Sequence, residues 1–144
     1  MDTRQEQARI YLEEAELTLD AARAVFGKAK EERKGLWAVV VKNCYDAIEQ
    51  AVSSAIAARG ADIPRLHPEK IRRFIWLYHP SRQVRNLLTY WLGRRASAQY
   101  IDLKRGRFSI PHELFTEQDA ERALRDAETV IAGVKSIVFH AKPM

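Results

Sequence analysis

The residues best suited to chemistry in this chain are guanidinium groups. Between Arg59 and Phe108 stand twelve Lys/Arg: Arg59, Arg65, Lys70, Arg72, Arg73, Arg82, Arg85, Arg94, Arg95, Lys104, Arg105 and Arg107. Only three acids accompany them, Asp62, Glu69 and Asp102, so the segment carries +9 while the rest of the 144-residue chain carries −4. Seven of the thirteen aromatics lie in the same stretch: Phe74, Trp76, Tyr78, Tyr90, Trp91, Tyr100 and Phe108. Guanidinium pairs with phosphate and flat rings stack on bases, so this interleaving suits a polyanion with exposed bases. The same composition also describes a helical surface of solvated arginines over core aromatics, and both readings stay open at this point.

Other chemistries lack their residues. Cys44 is alone, which excludes an intrachain disulfide and a cysteine-based zinc site. No HxxxH or HExxH spacing occurs, and Gly93 and Gly106 are isolated rather than part of a phosphate-cradling loop. No metal and no cofactor are expected.

The elements that must position the arginines are helical. With 47% hydrophobic and 30% charged residues the chain reads as globular, and its length suits one domain over residues 1–144. The clean apolar run Trp37 to Val41 is far below the ~20 residues of a membrane span. The opening MDTRQEQARI has no apolar signal region, so a cytoplasmic, soluble protein is the expectation. A first helix is expected from Thr3 to Lys30, with Ala8, Leu12, Ala15, Leu19, Ala22 and Phe26 as its apolar stripe. A second runs from Leu36 to Ala58, a short third from Pro68 to Tyr78, and a fourth from Ser81 to Leu103 with Ser81 as N-cap. A loop with Gly106 and Pro111 follows. Thr116 with Asp119 then opens a last helix, Glu117 to Phe139, in a capping-box pattern. The expected fold is all-α, an antiparallel four- to five-helix bundle. Ala51, Ala55, Ala120, Ala123 and Ala127 form seams that suit close packing either inside the bundle or across a dimer.

Three stretches in this order resemble the HEPN domain, the helical higher eukaryotes and prokaryotes nucleotide-binding family. They are Tyr11–Arg23 (YLEEAELTLDAAR), Cys44–Ala51 (CYDAIEQA) followed by Gly60, Pro64 and His67, and Phe115–Leu124 (FTEQDAERAL) after Tyr100-Ile101-Asp102. The resemblance implies a helical bundle that acts as a homodimer. Its members include metal-independent endoribonucleases, toxins paired with small nucleotidyltransferases in toxin–antitoxin modules, and inactive members that only bind.

The resemblance further implies, in catalytic members, an arginine, a polar residue, and a histidine with four to six residues between it and the arginine. Histidine can take the proton of a ribose 2′-hydroxyl, and arginine can hold the phosphate. Arg85-Asn86 matches the start of that pattern, with Tyr90 in the histidine's place. Arg72 or Arg73 with His79 matches its spacing. Seven residues of helix would bring Arg72 and His79 to nearly one face. Arg94 and Arg95 are further phosphate-contact candidates, the latter five positions before Tyr100. The candidate catalytic set is therefore Arg85, Asn86, Tyr90 and His79, and the candidate RNA-contact set is Arg72, Arg73, Arg94 and Arg95. Two functions follow: an RNA- or nucleotide-binding protein with metal-independent ribonuclease activity and a nucleotidyltransferase partner, or a non-catalytic module that binds a partner protein or nucleotide.

Overall fold

The computed structural model describes residues 2–140, and the chain is all-α apart from one small hairpin. Helix α1 covers Thr3–Glu32. Asp2 caps it by accepting from the Arg4 N–H at 3.0 Å, and Arg33 ends it in the left-handed region at φ 52°. Helix α2 is Trp37–Ala58, α3 is His67–Tyr78, α4 is Arg82–Gln99, and the short α5 is Pro111–Leu114. The last helix, α6, is Glu117–His140. Its first turn is closed reciprocally: the Asp119 N–H donates to the Thr116 hydroxyl at 3.2 Å, and the Thr116 N–H donates to the Asp119 carboxylate at 2.9 Å. Asp thus does the work of the more usual Glu in the capping box.

The centre of the bundle is α2. The sequence suggests one apolar side for it, but α2 packs against α1, α6, α4 and α3, and even Ala47, Ser53, Ser54, Ile56 and Ala57 are buried. Ala51 to Ala57 are buried on every side, and such a stretch has to be apolar or small throughout. Ser54 meets this condition by donating from its hydroxyl to the Ala8 carbonyl at 2.5 Å. The alanines settle the question of the seams. Ala51, Ala55, Ala120, Ala123 and Ala127 are 0–1% exposed within a single chain, so they serve the contact of α2 with α6 and not an assembly surface.

The second difference lies after α4, which stops at Gln99 instead of running to Leu103. Tyr100 turns extended, at φ −113° and ψ 140°. Residues then form strands β1, Asp102–Lys104, and β2, Arg107–Ser109, with Leu103 opposite Phe108. Arg105 and Gly106 take φ of 53° and 77°, the two positive values that a two-residue type I′ hairpin turn demands. Three-residue strands are too short to display an alternation in sequence, and Arg-Gly is a weaker turn signal than Asn-Gly.

Candidate nucleic-acid interface

The ends of α2 and α3 and the start of α4 meet at one corner. Tyr78 donates from its hydroxyl to the Ala55 carbonyl, and Arg59 donates to the Leu77 carbonyl at 3.1 Å while lying 5.1 Å over the Tyr78 ring. A three-residue connection then leads into α4, where the Ser81 hydroxyl accepts from the Val84 N–H at 3.2 Å. Exposed along these elements are Arg72, Arg73 and Trp76 from α3, His79 from the connection, and Arg82, Arg85 and Asn86 from α4.

The expected histidine pairing takes a different form here. His79 is the C-cap of α3, left-handed at φ 46°, with its backbone N–H on the Ile75 carbonyl at 2.9 Å. It has left the helical register that would align it with Arg72. Arg72 itself pairs with Glu69. Arg73, Arg82 and Arg85 have no carboxylate within ion-pair distance among the described residues.

Arg85 and Tyr90 do not share a face, because five residues of helix turn them roughly 140° apart. Tyr90 is half-buried and held from three sides. Its hydroxyl accepts from Arg94 at 2.8 Å, Arg122 of α6 lies 4.0 Å over its ring, and Trp91 meets it edge-on at 4.8 Å. Arg94 and Arg95 diverge. Arg94 stacks 4.6 Å over Phe115, whereas Arg95 lies 5.9 Å over Tyr45 on α2. Both sit about 14 Å or more along α4 from Arg85, at 1.5 Å per residue. His79, Arg82, Arg85 and Asn86 thus lie within two turns of the α3–α4 connection, Arg72 and Arg73 lie one to two turns back along α3, and Tyr90, Arg94 and Arg95 lie farther along α4.

The structure also assembles a polar cluster that the sequence pattern does not announce. Glu49 of α2 is only 8% exposed, and its two carboxylate oxygens accept from His67 at 2.5 Å and Lys70 at 2.8 Å, both on α3. Burial works against the Glu49 charge, but these hydrogen bonds outweigh it and hold its carboxyl below its ordinary range. Beside it the Tyr45 hydroxyl and Gln50 Oε1 are buried without a hydrogen-bond partner among the described residues. Burial, reinforced by the Glu49 charge, pushes the Tyr45 phenol up. The one sequence signal was a pair of acids, Asp46 and Glu49, the only carboxylates of α2.

The cluster makes stability pH-dependent. Glu49 has a depressed native pKa, so its contribution is fully present above the unfolded carboxyl's ~4.3 and is lost as pH falls through the lower native value. Thermal melts from pH 7 to 3 should therefore show a shallower acid limb for Glu49→Gln than for the unmodified chain. Coincident limbs would mean the cluster contributes nothing. Asp46 has the opposite sign, since burial raises its carboxyl, and Asp46→Asn should raise the melting temperature at pH 7.

Cys44 is fully buried, and burial pushes its thiol up to about 12. Thiolate is the reactive form. The native protein at pH 8 should resist a disulfide-exchange reagent and take up one equivalent only after denaturation; rapid native labelling would contradict this packing.

Among the described residues no His/Cys/Asp/Glu group is placed to hold a metal ion, and no helix is long and apolar enough to cross a membrane. Residues 8–137 match the family described as HEPN domain. The structure is similar to the crystal structure of an archaeal HEPN homologue, with a TM-score of 0.70 at 20% sequence identity, covering 91% of this chain and 97% of that one. No curated protein matches the sequence.

Proposed function

This chain belongs to the HEPN domain family, and on that premise we propose that it binds RNA or a nucleotide as a homodimer, gripping phosphate with the exposed corner where α3 meets α4. The observation that carries this reading is unneutralised charge. The arginines of α1 are matched by acids: Arg4 by Asp62, Arg9 by Glu6 and Glu13, Arg23 by Asp20 and Glu128. From Arg59 to Arg107, only Lys70, Arg72 and Lys104 reach a carboxylate among the described residues. A cation without a protein counter-charge holds solution anions, and a phosphate strand releases them on binding.

Metal-independent cleavage at this corner would use His79 as base. It would take the proton of a 2′-hydroxyl, the 2′-oxygen would attack phosphorus, the 5′-oxygen would leave with a proton, and a 2′,3′-cyclic phosphate would remain. Arg85, or Arg72 and Arg73, would stabilise charge on the phosphoryl oxygens, with Asn86 as a hydrogen-bond donor. Tyr90 suits an anchor for α4 better than a base, because its hydroxyl already accepts from Arg94.

A second reading has its own support. The hairpin exposes Ile101, Leu103 and Phe108, the last 67% exposed, beside Lys104, Arg105 and Arg107. Such a surface suits a non-catalytic module that holds a partner protein, a nucleotidyltransferase among them. One experiment separates the two. End-labelled RNA is incubated with the purified protein in EDTA, alongside His79→Ala and Arg85→Ala. Cyclic-phosphate ends that fall by about 100-fold or more in the variants support cleavage. Intact RNA that still binds leaves the binding module.

A further inference from the structure

We propose that Trp76 is a base-stacking platform and that the α3–α4 corner accepts single-stranded rather than duplex RNA; this rests on the RNA-binding reading above. Trp76 is 71% exposed, in the last turn of α3. The fold does not require it there. Ile71 and Phe74 form the inward side of α3, and Trp76 points the opposite way. The other two tryptophans are packed: Trp91 is 1% exposed and bonded to Asp126, and Trp37 meets Phe26 at 5.5 Å between ring centroids. Leaving a whole indole in water forgoes the stabilisation that its burial gives elsewhere, so an outward one marks a surface with a use.

The neighbours of Trp76 say which use. Arg72 and Arg73 are four and three residues before it, the spacing that sets side chains side by side on a helix. Glu69 lies on the same face and pairs with Arg72, but an exposed pair at this spacing holds its partner weakly. Arg73, Arg82 and Arg85 remain without an acid among the described residues, so the corner is positive overall. A flat ring beside guanidinium groups complements a base attached to its own phosphate. In a duplex that base is already stacked between its neighbours and the A-form major groove admits no side chain. Only an unpaired base can lie on Trp76.

The test is fluorescence anisotropy with a labelled ten-nucleotide oligouridine, oligoadenine, and a duplex of the same length. Trp76→Ala should weaken single-strand binding about 5- to 150-fold, the range of one base–aromatic stack, while Trp76→Phe keeps most of it. The slope of affinity against salt should not change, because the indole carries no charge. Wild-type single-strand affinity retained in Trp76→Ala, with binding still sensitive to Arg73→Ala, overturns the stacking claim and leaves the basic corner standing. An equal loss on duplex overturns the strand selectivity. Wild-type protein that binds no RNA even at 50 mM salt overturns the underlying reading itself. Polyglutamate that displaces RNA from wild type and needs Trp76 to do so would assign the surface to an acidic protein instead.

Discussion

Arg73→Glu combined with Arg85→Glu should lower RNA affinity at least 100-fold at low salt, and the matching alanine pair should lower the salt slope by about 1.4. The second figure is two phosphate contacts at ~0.7 each for a single strand. Glutamate does more than alanine because it adds repulsion to the lost contact. Both positions are exposed on helices and make no ion pair among the described residues, so the fold should tolerate either change. The control that gives the experiment its meaning is Arg23→Glu. Arg23 carries the same formal charge, but Asp20 and Glu128 already neutralise it at 3.0 and 3.1 Å. If Arg23→Glu weakens binding as much as a change at Arg85, RNA is responding to net charge alone and the corner has no special role.

Trp91→Ala should destabilise the chain by about 3–5 kcal/mol, the usual loss for emptying a large aromatic site. Trp91 is the largest fully buried side chain, and its indole N–H donates to Asp126 on α6 at 2.7 Å. It therefore ties α4, which presents Arg85 and Asn86, to the body of the bundle. Trp91→Phe should lose less, because the ring volume is mostly kept and only the hydrogen bond goes. That bond matters at about 1–3 kcal/mol, since Asp126 is left with Arg122 at 3.7 Å as its remaining partner. Urea titration measures both. Nearly equal losses in the two variants would place the stabilisation in the polar contact rather than in the packing. A negligible loss in Trp91→Ala would mean α4 is held by its flanking contacts, Arg94 on Phe115 and Arg122 on Tyr90.

The tie between these two experiments is mechanical. The proposed RNA contacts on α4 would be placed by a helix whose inward side carries Leu87, Leu88 and Trp91, and whose flanks are pinned by arginines stacked on rings. Arg94 looks like a phosphate ligand in sequence because guanidinium chemistry is the same whichever way it faces. In the fold it spends that chemistry on Tyr90, Phe115 and the Leu114 carbonyl. Arg85, nine residues earlier, has no such neighbours and points outward.

What the sequence determined by itself is local. Apolar residues at three- and four-residue spacing mark the long helices, Ser81 and the Thr116–Asp119 pair mark two of their starts, and Pro80 separates α3 from α4. These signals act within a turn or two of chain, so a pattern of residue types records them. The family likeness belongs to the same level, being an order of amphipathic stretches. Tertiary structure decided the rest. It buried Ala51 to Ala57 of α2 on all sides, turned Arg94 and Arg95 apart, and built the Glu49–His67–Lys70 cluster across 18 to 21 residues of chain. It also chose which arginines found an acid, joining Arg4 to Asp62 across 58 residues and Arg23 to Glu128 across 105. Charge is additive along a sequence, but neutralisation depends on distance in space, and only the packed helices set that distance.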